Sequence, residues 1–374
     1  MWSKGKHTIP GENPALKLWK SLRRNILFLV LYLVHLCAFT QSEPNPILPD
    51  TLFLALGNSL ELYNDDVAFV QPGSTRNTFD WEYDVGNADS GKWYWTSDKP
   101  GVFNLKIKCY LDGGLVDEES TILKVSEKIS GEDFLLLTIG NSLTTSGFGF
   151  QYQQISTDLD FKLNTTGTQG TLVKHEGHSG WEFKTFLGSE SPFYFDGTLD
   201  PAQYISSNGL ETPDIVRISL GINDCFLSES MDYITQNADI LINAFLDAFP
   251  EALVFIAMPT LCENSGTGWL VSYGTLDNYE PYQLRIREYW EYVLGAYGSG
   301  TKSSRVYVSY DGLCIDRNYG YPLDGDGVHT NGVHPNSSGN RQLSRGFSNV
   351  LNYYANEISN PVDTTLPYRS PKHH

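Results

Sequence analysis

Basic side chains are scarce in this 374-residue chain. Its 26 Lys and Arg stand against 44 Asp and Glu, for a formal net charge of −18. A surface of that sign repels phosphate backbones, which excludes nucleic acid as a partner. Cysteine is scarce too: there are five, no two in a CxxC spacing, so a zinc site has no cysteine signature. Long apolar runs are missing as well. Ile26 to Phe39 is a 14-residue stretch broken by His35, against the roughly 20 residues that a spanning helix needs.

The positive charge gathers at the start. Lys4, Lys6, Lys17, Lys20, Arg23 and Arg24 oppose only Glu12 within residues 1–40, leaving −23 for the rest. A basic segment, a short apolar core and then polar QSEPNP form a secretory signal pattern. The alternative is an uncleaved anchor, which the long basic segment favours. Cys37 suggests a lipoprotein, but Leu36 stands where a small residue is expected. The chain is therefore expected outside the cytoplasm, with membrane contact only through this segment if it is left uncleaved. After export, Cys109, Cys225, Cys262 and Cys314 can pair, in any of three full connectivities. Asn164-Thr165-Thr166 and Asn336-Ser337-Ser338 match the glycosylation acceptor pattern.

At roughly 150 residues per domain the length suggests two domains. A Pro-rich linker spans 41–50. Residues 51–128 then carry short β-rich runs: TLFLAL, SLELY, VAFV, WEYDV, KWYWT, FNLKIKCYL and STILKV. FNLKIKCYL alternates apolar and polar side chains, and Asp112-Gly113-Gly114 marks a hairpin turn. Seven short strands predict a small Ig-like β-sandwich with its aromatics in the core. Beyond Glu127–Asp133 the texture changes. FLLLTIG, DIVRISLG, ALVFIAMP and RVYVSYDG read as buried parallel strands. Helical patterns separate them: Asp232 to Phe249 sets Ile234, Ala238, Leu241, Ile242 and Phe245 on one face. Gln283–Tyr297 and Gly339–Tyr354 are further helices. Residues 132–358 thus form an α/β domain, and 359–374 read as a tail.

In such a sheet the site lies beyond the carboxyl ends of the strands. Those ends carry Gly140-Asn141-Ser142-Leu143, then His175-Glu176-Gly177-His178-Ser179-Gly180-Trp181, then Gly221-Ile222-Asn223-Asp224, and finally Asn331-Gly332-Val333-His334-Pro335-Asn336. Each has a job in acyl transfer. Ser142 attacks a carbonyl. His334 takes its proton and returns it to the leaving alcohol. The N–H groups of Ser142 and Gly177 and the amide of Asn223 can donate to the oxyanion. Asp224 supports the turn that holds Asn223.

With GNSL at 140–143, EGHSGW at 176–181, GIND at 221–224 and VHPN at 333–336, the sequence resembles the SGNH (GDSL-type) hydrolases, over about residues 133–359. The resemblance implies a flavodoxin-like, three-layer α/β fold and ester hydrolysis through an acyl-serine, without metal or other cofactor. Gly57-Asn58-Ser59-Leu60 repeats the first block, but no Gly, Asn or His block follows it within the β-rich region, so Ser59 is assigned to a strand or turn. The family pattern of Asp, two residues, then His is broken: Asn331 stands three residues before His334. Asp326-Gly327-Val328-His329 matches literally, but His334 leads into the last helix as the family's histidine does. Asn331, or a folded-back Asp326 or Asp324, could support the imidazole; otherwise the pair works as a dyad.

Other candidates have plainer readings. His175 and His178 read as polar loop residues rather than metal ligands. Asp324-Gly325-Asp326-Gly327 has Val328 where a calcium loop needs a third oxygen. Trp181, Phe226 and Trp269 are candidates to line a substrate pocket or to pack the core. The Gly-rich stretch 262–282 reads as a lid or specificity loop. The expected activity is that of a secreted esterase acting on an acylated (acetylated) glycan or a small ester. The export pattern, the added sandwich and the resemblance to carbohydrate esterases suggest it. A lipase is the competitor, disfavoured because no exposed aliphatic run stands out. A binding protein on a decayed hydrolase scaffold is the non-enzyme alternative.

Overall fold

The computed structural model describes residues 44–69, 77–227, 229–298 and 303–359. The expected signal or anchor (1–40) and the tail beyond 359 lie outside the described residues. Among the described residues no helix is long and apolar enough to cross a membrane.

The β-rich segment forms two sheets. One contains β1 (Thr51–Ala55), β3 (Asn77–Tyr83), β6 (Gly101–Leu111) and β7 (Gly114–Ser126), in the order β1-β7-β6-β3. The other contains β2 (Ser59–Tyr63), β4 (Asn87–Ala88) and β5 (Lys92–Thr96). The hairpin between β6 and β7 turns on Asp112 and Gly113, at φ 51° and 80°. Two positive φ values are what a tight two-residue turn requires. The expected strand VAFV does not form over its described residues, 67–69. Its place is taken by α1 (Asn64–Val67) and a single bridge from Ala68 to Pro46. The expected linker is packed, at least from residue 44: Ile47 and Leu48 are buried, and Ile47 N–H donates to Val67 O at 2.8 Å. Apolar side chains between the prolines explain this, since burying them outweighs a free tether.

The described residues from Pro44 onward form one compact unit. Only three residues separate β7 from β8 (Ser130–Gly140), the first strand of a second, parallel sheet. Its other members are β9 (Asp160–Thr166), β10 (Glu176–Gly177), β13 (Ile215–Ser219), β14 (Leu253–Ala257) and β15 (Val306–Ser309). The short hairpin β11 (Tyr194–Phe195) and β12 (Thr198–Leu199) lies apart from it. Both β9 and β10 pair with one edge of β8, whose other edge pairs with β13, followed by β14 and β15. Counting β9 and β10 as one interrupted strand gives the doubly wound order 2-1-3-4-5. Leu136, Val216, Val254 and Phe255 are fully buried, as strands covered on both faces must be.

The helices that matter for the site follow these strands. They are α2 (Ser142–Asp158), α3 (Phe183–Phe186), α4 (Pro201–Ser207), α5 (Ile222–Phe226), α6 (Met231–Ala248), α7 (Thr267–Tyr273), α8 (Tyr279–Val293) and α9 (Ser337–Ser359). The β-rich part rests on α9 and its neighbours. Ala55 N–H and Asn58 Nδ2 both donate to Asn349 Oδ1, at 3.2 and 3.0 Å, and Arg287 donates to Asp66 O at 2.7 Å. This gives the repeated GNSL at 57–60 its role: Asn58 docks a turn onto α9, and Ser59 Oγ shares a hydrogen bond with Thr96 across β2 and β5. Cys109, Cys225, Cys262 and Cys314 are buried free thiols, so the pairing that export would permit is not formed among them.

Candidate active site

Strand β8 ends in Gly140, and Asn141 caps α2. Its side chain accepts from Leu143 N–H at 3.0 Å, and its carbonyl from Thr144 and Thr145. An N-cap needs a short polar acceptor, which Asn supplies as well as Asp. Ser142 is therefore the first residue of the helix, at its positive end. Gly140 is required by close approach: a Cβ there would stand 1.9 Å from Thr144 Oγ1.

His334 Nε2 lies 2.9 Å from Ser142 Oγ. The two residues come from opposite ends of the α/β segment and meet at the carboxyl end of the sheet. Burial pushes the His334 imidazole below its ordinary value, so the neutral, proton-accepting form prevails at neutral pH. Its Nδ1 has no partner among the described residues. Asn331 does not orient the ring. Its Oδ1 accepts the backbone N–H groups of Val333 and His334, at 2.9 and 2.8 Å, and so shapes the loop instead. Asp326 and Asp324 do not fold back. Both are exposed, and Asp324 Oδ1 is spent on the N–H groups of Asp326 and Val328. The alternative His329 is buried, with Nδ1 3.2 Å from Glu263 and Nε2 3.0 Å from Asn318 O. It is a structural cross-link, away from Ser142.

The oxyanion candidates divide. Ser142 N–H has no intrachain partner among the described residues. Asn223, in the first turn of α5, spends one Nδ2 hydrogen on Trp181 O at 2.8 Å and keeps the other. Gly177 requires a correction: its N–H donates to His175 Nδ1 at 2.9 Å. The reason for glycine there is packing, since a Cβ would fall 2.8 Å from Thr145 N. Gly180, three residues on, is exposed at φ +82°, and its N–H has no partner among the described residues. It precedes Trp181, whose carbonyl Asn223 holds. Sequence reasoning passed over it, although Ser179-Gly180 in the same block was a visible signal.

The flanking groups are fixed. Glu176 is fully buried and accepts from Thr168 N–H, Tyr204 and His178. Burial would raise its carboxyl, but these bonds hold it below the ordinary value. Burial lowers the His175 imidazole against the opposing pull of Glu176. The His178 ring stacks on Trp181, with centroids 4.1 Å apart. Asp224 Oδ1 accepts from Phe183 N–H at 3.0 Å, tying α5 to the segment behind Trp181. Burial, with help from the Glu182 charge, pushes its carboxyl up to about 7. Trp181, whose carbonyl Asn223 holds, is half-buried, and so is Phe226, whose ring packs against Trp269 and Tyr273. Trp269 lines no open pocket: it is fully buried, because α7 packs flat on the His334 loop. There a Cβ on Gly268 would meet the Asn331 backbone at 2.7 Å. The 262–282 stretch is a seated strap rather than a loose lid. Glu263 N–H donates to Gly332 O at 3.0 Å, and its carboxylate accepts from Ser265 N–H at 2.6 Å. The outer face of α7 nevertheless exposes Leu270, Val271 and Tyr273.

No family model and no curated protein matches the chain. Among solved structures, it is similar to an acetyl esterase variant with acetate ion, at 22% identity over 60% of this chain and 99% of that one, with a TM-score of 0.40. A family 3 carbohydrate esterase from Talaromyces cellulolyticus gives 22% identity over 60% and 99%, with a TM-score of 0.38. The family 3 carbohydrate esterase from Clostridium thermocellum gives 17% over 61% and 96%, with a TM-score of 0.41. All three scores lie below 0.5, and the functional reading rests on the geometry of the site itself.

Proposed function

We propose that this chain is an exported serine esterase of the SGNH type that deacylates, and in particular deacetylates, a carbohydrate. The observation that carries the esterase reading is the 2.9 Å contact between Ser142 Oγ and His334 Nε2, at the helix start where an open α/β sheet holds its ligands. Ser142 Oγ attacks the ester carbonyl as its proton passes to His334 Nε2. The oxyanion takes hydrogen bonds from the N–H groups of Ser142 and Gly180 and from Asn223 Nδ2. Collapse breaks the acyl–oxygen bond, and the imidazolium protonates the leaving alcohol. Water, deprotonated by His334, then attacks the acyl-serine; its collapse releases the acid and returns the proton to Ser142. With no carboxylate on Nδ1, the pair works as a dyad. The reading calls for no metal, and the chemistry of these side chains is complete without one.

The carbohydrate substrate is the finer part of the proposal. The half-buried Trp181 supports it, with the stacked His178 behind it, as an aromatic wall suited to a sugar face. The two N-terminal sheets are read as an Ig-like sandwich, and export is read from residues 1–40. One observation favours the rival apolar ester: Leu270, Val271 and Tyr273 on α7 are 46%, 65% and 40% exposed. An exposed apolar cluster is a common mark of contact with an apolar partner. Hydrolysis of p-nitrophenyl esters of rising acyl length and of an acetylated sugar separates the two. Preference for acetate supports deacetylation, and preference for long acyl chains supports the rival. Failure of Ser142 to take a fluorophosphonate, in a folded chain that hydrolyses neither ester, would overturn the esterase reading in favour of a binding protein.

A further inference from the structure

Strand β13 lies between β8 and β14, where apolar side chains belong, yet it carries Arg217 with 1% of its surface exposed. Its guanidinium packs over the Phe347 ring of α9. One Nη donates to Asp311 Oδ2 at 2.5 Å and the other to Gln151 Oε1 at 2.9 Å. Gln151 is also buried, and its Nε2 donates to Asn340 Oδ1 at 3.2 Å. Asn340, in the first turn of α9, donates in turn to the carbonyls of Pro335 and Asn336, both at 3.0 Å. Those carbonyls directly follow His334. Gly147 leaves room for the join, since a Cβ there would lie 2.0 Å from Asn340 Oδ1.

This chain of bonds runs from the centre of the sheet to the base loop, through the same helix, α2, that begins with Ser142. A buried ion pair is a weak stabiliser compared with apolar packing, but its fixed geometry can hold other groups in place. The need is specific here. Asn331 spends its side chain on its own loop, and nothing among the described residues grips His334 Nδ1. The position of the imidazole relative to Ser142 therefore depends on how the loop backbone is tethered.

We infer that Gln151 and Asn340, anchored by the Arg217–Asp311 pair, are positioning residues that set the Ser142–His334 contact in place of a third triad member. The inference rests on the esterase reading. Both side chains are buried, each 4% exposed, and act through the loop rather than on the reacting atoms. A displacement of about 1 Å at a reacting pair costs on the order of 100-fold in rate, and that sets the size of the effect.

The test uses the full chain, with p-nitrophenyl acetate as substrate and fluorophosphonate labelling to count competent sites. Gln151→Met cuts the link at α2, and Asn340→Asp cuts it at the loop while keeping the acceptor for Gln151. Each is expected to lower kcat per labelled site about 10- to 100-fold, with KM within about twofold of wild type. Because both cuts break one chain, the double variant should be no worse than the worse single variant. Gln153→Met, exposed on the same helix, should leave turnover unchanged. Should Gln151→Met fail to fold, Asn340→Asp carries the test. Unchanged kcat per labelled site in Asn340→Asp, or losses that multiply in the double variant, would overturn the inference. An inactive, unlabelled wild type would instead overturn the esterase reading itself.

Discussion

Replacing Asn331 by Asp should both speed the reaction and move its pH profile. Residue 331 already lies against the His334 backbone, its Oδ1 accepting that N–H at 2.8 Å. A carboxylate there keeps both loop hydrogen bonds and adds a negative charge beside an imidazole whose Nδ1 has no partner among the described residues. An opposite charge within about 4–6 Å raises a base's pKa by roughly 1–3 units. That is about 1.4–4 kcal/mol of stabilisation for the imidazolium, which forms during both halves of the reaction. The plateau rate should therefore rise about 10- to 1000-fold, with the roughly 10⁴-fold cost of acid-to-amide exchange in serine proteases as a ceiling. The sign of the pH shift is fixed by the same physics. His334 must be neutral to accept a proton, and burial holds it below its ordinary value. Wild-type activity should then persist below pH 6.5 and fall only as His334 becomes protonated. In Asn331→Asp that acid limb should move up by about 1–3 units. The assay is kcat/KM for p-nitrophenyl acetate between pH 4 and 9. An acid limb that stays in place would refute the reasoning, because it would mean that residue 331 and the imidazole do not interact.

Other outcomes follow from single contacts. Ser142→Ala should abolish hydrolysis and labelling, whereas Ser59→Ala should leave both intact. Asn223→Ala should lower kcat about 10²–10³-fold by removing one oxyanion donor, a loss measured with p-nitrophenyl acetate. His329→Gln should reduce unfolding free energy by roughly 1–3 kcal/mol in urea titrations, with turnover within about threefold. Asp224 has a folded pKa of about 7, against about 3.9 for an ordinary Asp. The folded state thus holds its proton more tightly, and this residue's contribution to stability falls as pH rises from about 4 to about 7, by up to roughly 4 kcal/mol. Asp224→Asn should flatten that fall, which unfolding midpoints at pH 5 and 8 would reveal.

The parallel sheet could be read from the chain because FLLLTIG and ALVFIAMP are continuous apolar runs and DIVRISLG departs from that form mainly at Arg217, the texture of strands buried on both faces. That Ser142 and His334 would meet could be read because strand ends and helix starts fix which loops share one end of the sheet. What could not be read depended on how individual polar groups are spent. Gly177 and Gly180 share one six-residue block, and only the His175 ring, by taking the Gly177 N–H, separates their roles. Asn331 looked like a partner for the imidazole, but a short amide two or three residues before free backbone N–H groups closes on them first. Trp269 read equally as pocket wall or core, and it is core because Gly268 lets α7 lie flat on the loop. The run VAFV has strand composition, but Asn64 and the two aspartates before it start a helical turn. Arg217, conspicuous inside DIVRISLG, was the one legible sign of the polar chain beneath the site.

The four buried thiols give the molecule an internal gauge of its own unfolding. Burial pushes the Cys109 thiol up to about 12 and drives those of Cys225, Cys262 and Cys314 up as well, so none is a ready nucleophile while its surroundings hold. Reaction of a thiol reagent at these four positions will therefore report openings rather than surface chemistry. Cys109 belongs to the N-terminal sheets and the other three to the α/β layer. If their modification rates rise together with denaturant, the two parts unfold as one cooperative body. If Cys109 reacts first, the sheets can detach while the α/β layer stays closed.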